Sequence, residues 1–190
     1  MKTIPDAGRL DQRLEVLELR ETGPGIWTWE TARKAWGQVE ADDRQRRNLF
    51  SAAGTGARNV SLVLRRQALT LHNALRWKKQ HLLLTAIAPL GRGHLEASAA
   101  LVEVETVRLV PDHEDQGMTF PGVLTEKYLV HRQEWPMSVN DLELVLVVPK
   151  AVNLRPGRLV ECQGTAWEVL VPHELDPFKN EYEIGRRAEL

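Results

Sequence analysis

The chain has one cysteine, Cys162, in 190 residues. That excludes an intramolecular disulfide and any thiolate-rich zinc or iron–sulfur centre, and it fits a reducing cytoplasm. An excess of charge is also lacking. With 25 basic against 26 acidic residues the formal charge is −1, so no global cationic field gathers nucleic acid or anionic lipid. The longest apolar runs, such as Leu142 to Pro149, fall far short of the roughly 18 residues that span a bilayer. Met1-Lys2-Thr3-Ile4-Pro5-Asp6 has no apolar core of a secretory signal. The expectation is a soluble chain with no membrane partner.

Chemistry-bearing patterns are equally sparse. The six histidines (His72, His81, His94, His113, His131, His173) show neither His-Glu-x-x-His nor i, i+4 spacing, so no metal site is expected. His113-Glu114-Asp115 looks ligand-like, yet it sits in a polar stretch where carboxylates are normally solvated. No serine lies in a Gly-x-Ser-x-Gly elbow. Gly54-Thr55-Gly56 and Gly91-Arg92-Gly93 are too short, and lack the lysine, for a phosphate cradle. Cys162 ends the strand-like Arg158 to Cys162, where a small apolar residue suits an interior. The expectation is a non-enzymatic protein without cofactor or metal.

What is present is alternation. At 43% apolar residues the chain can bury one ordinary core or two small ones. Gly8 to Arg20 places Leu14 and Val16 between charges as a half-buried strand does, with a helix as the competing reading. Thr22-Gly23-Pro24-Gly25 stops it. Trp27 and Trp29 share one strand face, and Ala35 to Glu40 continues the pattern around Trp36. Ala41 to Ala57, charged and then small, reads as a long loop. Asn59 to Arg66, Leu75 to Trp77 and His81 to Ala88 are strands, and Leu95 to Val110 is read as one more. Trp27, Trp29, Trp36, Leu64, Trp77 and Trp167 are the candidate core. The six tryptophans are spread along the chain and do not alternate with Lys/Arg on one strand, which favours packing over the stacking of bases.

The sequence also resembles itself. A slide of 83 positions lays Ala68 on Ala151, Leu71 on Leu154, Pro89 on Pro172 and Leu62-Val63-Leu64 on Val145-Leu146-Val147. The fold expected is all-β: small β-barrels with long loops, two related β-domains in tandem. Residues 1–110 make the first, 111–120 a polar linker, and 121–190 a second, abbreviated one.

Gly8-Arg9-Leu10 leading a strand, Ala35-Trp36-Gly37-Gln38-Val39-Glu40, a charged loop, Arg58 to Arg65, and the pair Leu75-Arg76-Trp77 and His81 to Ile87 together resemble the tailed-phage head–tail joining family, also called head-closure or stopper proteins. The resemblance covers roughly residues 8–104, and its closing part recurs in 140–190. A usual member is a single domain of about half this length. The family's glycine before an aromatic in the closing segment is met by Gly164-Thr165-Ala166-Trp167 and not by Gln80-His81-Leu82.

The resemblance implies a β-barrel whose copies form a ring around the DNA channel, between the portal-bearing head and the tail. Its partners would be other copies of itself, a portal or adaptor protein, and tail terminator or tube proteins. DNA would pass through the lumen without sequence-specific binding. The location would be the virion, and host cytoplasm during assembly. A tail-terminator or baseplate subunit and a nucleic-acid-binding β-barrel module are the alternatives. Arg44, Arg46, Arg47 and Phe50 in the charged loop are the candidate intersubunit contacts. A merely solvated loop, or arginines touching DNA phosphates, are the competing readings of that run.

Overall fold

Apolar residues at every second position pair into ladders that satisfy their backbones while stacking one face against another. In the computed structural model, which describes residues 9–46, 58–113, 116–126 and 144–186 (backbone only for 42–46), this alternation produces twelve strands and no α-helix among the described residues. In chain order they are β1 Gln12–Gly23, β2 Ile26–Arg46, β3 Arg58–Arg65, β4 Ala74–Trp77, β5 Gln80–Leu90 and β6 His94–Val102. Then come β7 Glu105–Leu109, β8 Met118–Glu126, β9 Leu144–Pro149, β10 Leu159–Cys162, β11 Thr165–His173 and β12 Lys179–Arg186. The fold is all-β and barrel-like.

The chain divides into two compact units. Among the described residues, one holds the chain up to Arg20, Thr28 to the end of β2, and β3 to Glu103. The other holds Glu21–Trp27 and everything from Val104 onward. In the first, hydrogen-bonded neighbours run β1-β4-β5-β6-β3-β2, and β2 pairs back to β1. In the second they run β8-β7-β10-β11-β12-β9, and β9 pairs back to β8. Each is a closed circuit of six strands. Renumbered from their own first strands, the two circuits have the same cyclic order, 1-4-5-6-3-2.

The match extends to irregularities. The β4–β5 and β10–β11 hairpins close with two-residue loops, Trp77 opposite Gln80 and Cys162 opposite Thr165. Their first loop residues, Lys78 (φ 58°) and Gln163 (φ 52°), are the only described non-glycine residues with positive φ. A bulge falls between Leu84 and Ala86 on β5 and between Val169 and Val171 on β11. Asn73 Nδ2 donates to Leu17 O (3.3 Å), and Arg158, standing at the equivalent place, donates Nη2 to Val110 O (2.9 Å).

The register corrects the sequence alignment by one residue in β3 and β9 and by two in β5 and β11, where Pro172 matches Ile87 and not Pro89. Through β3–β6 and β9–β12 the equivalent of Leu62 is Leu146, and that of Leu64 is Val148. The 83-residue slide laid Leu62 on Val145, which is buried but stands on the opposite strand face, outside the core formed by Leu146 and Val148. A single step in a strand changes the face. In the β3–β4 and β9–β10 connections the slide does hold: Leu71 and Leu154 both pack on their cores.

The cores correspond residue by residue and differ in size. Leu14, Val16, Ala35, Leu62, Leu64, Leu75, Leu82, Leu84, Ala97 and Ala99 fill the first. Val107, Leu109, Phe120, Leu146, Val148, Val160, Trp167, Val169, Tyr182 and Ile184 occupy those places in the second. Alanines at 35 and 97 thus face Phe120 and Tyr182 across the duplication, and Trp77 in the first circuit stands where the second has Cys162.

Both circuits turn on a glycine at the same point. Gly37 pairs with Leu64, and a Cβ there would lie 2.5 Å from Leu64 Cδ2, 2.9 Å from Val63 O and 3.1 Å from Leu14 Cδ1. At Gly122 the clashes are with Leu146 Cδ1 and Val107 Cγ2, each at 2.8 Å. Strand glycines at such close approaches mark the corners where a sheet bends to close.

Three sequence expectations change. The loop expected over 41–57 begins later, because β2 runs to Arg46 and pairs Asp42 with Asn59 and Arg46 with Arg58. Charged residues cost a strand only up to about 1 kcal/mol, so ladder pairing overrides composition. The strand expected over 95–110 is two strands that part at Glu103, one in each unit. The linker expected over 111–120 instead closes the β7–β8 hairpin, with Leu109 opposite Met118.

Gly37→Ala should destabilise the protein by about 1–3 kcal/mol, since it drives a Cβ into a backbone carbonyl as well as the core. Gly122→Ala, which meets only side-chain termini, should cost less. Urea midpoints at unchanged m-values check the order.

Candidate interaction surface

A closed strand circuit has no free edge for another chain to extend, so contacts are left to outward side chains and turns. Among the described residues no group of three or more His, Cys, Asp or Glu side chains is placed to hold a metal ion. Cys162 is buried, and burial first and then Glu105 raise its thiol pKa, which suppresses the reactive thiolate. Burial, then Arg76, lowers the pKa of His81.

Trp36, expected in the core, lies outside it. Ala35 joins the first core and Gly37 abuts Leu64 and Leu14, so alternation turns Trp36 outward, where it is 55% exposed. Lys34, two residues earlier on that face, is exposed. So is Arg65, one step past the Gly37–Leu64 pair and therefore across the ladder from Trp36. The other tryptophans follow expectation more closely. Trp77 packs on the first core and donates Nε1 to Gln12 Oε1 (3.3 Å), while Trp27 packs on the second core. Trp167 is 5% exposed, and its Nε1 finds no partner among the described residues. Trp29 is half-buried and Leu64 fully buried. The expected contact residues Arg47 and Phe50, and the side chains of Arg44 and Arg46, lie outside the described residues.

The second unit carries its own exposed apolar residues. The β11 bulge turns both Leu170 and Val171 outward, at 41% and 42% exposure. Their equivalents on β5 are Thr85 and Ala86. The turn Glu174-Leu175-Asp176-Pro177-Phe178 leaves Leu175 wholly exposed. Glu174 and Asp176, on either side of it, are exposed too.

That turn is held from beneath. Asp176 Oδ1 accepts from the backbone N–H groups of Phe178 (2.7 Å) and Lys179 (3.0 Å). Lys150 Nζ donates to Glu174 O and to Asn180 Oδ1, both at 2.8 Å. Asn180, fully buried, donates to Val152 O (2.8 Å) and Asn153 Oδ1 (3.0 Å). The Tyr182 hydroxyl accepts from Leu154 N–H (3.0 Å) and lies 3.3 Å from Glu174 Oε1. The first circuit has no such network: Leu95 and Ala97 stand where the second has Asn180 and Tyr182. Sequence reading missed Leu175. Its signal is a lone leucine inside the turn-forming Glu-Leu-Asp-Pro.

Among the charges of β1, β2 and β4, several pair with one another. Arg20 meets Glu18 (3.2 Å) and Glu30 (3.9 Å), Arg33 meets Glu18 (3.8 Å), and Arg76 meets Glu15 (3.1 Å). Each such surface pair contributes at most about 1 kcal/mol. Their consequence is local neutrality.

No family model matches the chain, and no curated protein or solved structure matches it either.

Trp36→Ala should change stability by no more than about 0.5 kcal/mol, whereas Trp167→Ala should cost about 3–5 kcal/mol; paired urea melts of the two variants check this. Burial pushes the Tyr182 phenol up to about 12, against roughly 10 when unfolded. The folded state therefore holds this proton more tightly. The resulting stability is complete below pH about 10 and is lost as pH rises through about 12. Unfolding midpoints across that range should fall, with a shallower fall in Tyr182→Phe.

Proposed function

We propose that the chain is a structural subunit of a tailed-phage virion, a ring-forming head–tail connector that joins the portal-bearing capsid to the tail around the DNA channel. One observation supports it most. Two closed strand circuits use up their own edges, yet the chain keeps large apolar side chains on outward positions, Leu175 being wholly exposed on a turn held by hydrogen bonds from Asp176 and Lys150. A protein built this way works by association. The partner class comes from the resemblance, whose residues make up the strands of the first circuit.

Ring formation calls for contacts between unlike faces of successive copies, and the two circuits offer unlike faces because their outer residues have diverged. The ion-paired Arg20, Arg33 and Arg76 favour this reading over the nucleic-acid module, since cations already neutralised release few counterions on binding phosphate. The location is the virion, and host cytoplasm during assembly.

Heads and tails from a phage lacking this chain should accumulate separately, and the purified protein should restore their joining and infectivity in an extract. Joining without it would overturn the assignment. Tails of irregular length in its absence would point to a tail terminator, and salt-sensitive DNA binding by the isolated chain to the nucleic-acid module.

A further inference from the structure

The ring-forming reading leaves open which surfaces of one copy meet the next. Two patches have complementary chemistry. The first is Trp36 with Lys34 and Arg65 beside it, an aromatic surface with a cationic rim. The second is Leu175 between Glu174 and Asp176, an apolar tip with an anionic rim.

Neither patch is repeated in the other circuit. Where the first has Trp36 the second has Pro121, which is buried. Where the second has Leu175 the first has Leu90, half-buried and paired within the β5–β6 hairpin opposite His94. The two halves share strand order, bulge position and corner glycine, so the shared architecture does not require either patch. Each belongs to one half alone.

We propose that the Leu175 turn of one copy seats on the Trp36 face of a second copy of this chain, in a head-to-tail contact. This rests on the ring-forming reading and specifies its interface. Aromatic rings accept aliphatic tips and supply a large area at low entropic cost. Glu174 and Asp176 would then face Lys34 and Arg65, which sets orientation and disfavours tip-to-tip or face-to-face pairing by like-charge repulsion. The occupant is another copy because both halves of the complement are carried by this one chain. The turn is also immobilised before binding, by Asp176, Lys150 and Tyr182, so little conformational entropy remains to be lost on docking. Since knob and socket are different surfaces, the contact propagates and closes only if the rotation between copies allows it.

The test uses two exposed-site variants of the full chain, Leu175→Asp and Trp36→Ala, first shown by thermal melts to fold as the parent does. In sedimentation velocity at the highest soluble concentration, the parent should form species larger than a dimer, and these should weaken with added salt. Each variant alone should be monomeric, its self-association weakened more than about tenfold. Mixed in equal amounts they should form a dimer and nothing larger, because each retains the surface the other has lost. A monomeric parent, variants that assemble like the parent, or a mixture that forms no dimer would each overturn the contact. The head–tail joining assay reads the connector assignment separately: rejoining by the parent with a failed mixing test sinks only this interface. A successful mixing test without rejoining sinks only the connector role.

Discussion

Closure of each six-strand circuit is the constraint on which the rest depends. A sheet that ends in free strands must protect two rows of unpaired backbone groups, whereas one that returns to its first strand pairs them all. Closure demands sharp curvature in short strands, and the chain supplies it at Gly37 and Gly122, where any side chain would enter the core, and at the bulges on β5 and β11. Once the circuits close, one face of each strand is committed to an interior; the other is exposed along much of β1 and β2 and buried along most of β9 and in the first half of β12.

The duplication shows how much freedom such a scaffold leaves. Cyclic order, bulge, hairpin loop and corner glycine are common to both circuits, while core residues differ by the volume of a ring at 35 and 120 and again at 97 and 182. The second circuit adds buried Asn180 and Tyr182 and half-buried Lys150, which bond to one another or to backbone groups beneath the β11–β12 turn. Polar groups placed so deep are costly unless paired, and here the pairing fixes one turn in space.

The sole cysteine is buried with its thiol pKa raised, the deep tyrosine keeps its proton up to about 12, and Arg20, Arg33 and Arg76 are matched by nearby carboxylates. Against that background the exposed Trp36 and Leu175 stand out as apolar surface kept in water on rigid supports. Docking proteins keep such surface, since its burial on association supplies the driving force.

Period-two alternation made the all-β class and most strands legible from residues alone, and the recurrence of Leu71 as Leu154 exposed the duplication. Alternation is a local property of side-chain chemistry, and local chemistry is what a sequence records. Whether Leu62 corresponds to Val145 or Leu146, whether Trp36 points in or out, and whether the charged stretch after Ala41 stays in a ladder were decided only by tertiary pairing. Each depends on which residue lies opposite on a strand distant in sequence. A one-residue step in that partnership exchanges the buried and exposed faces without changing a letter of the chain.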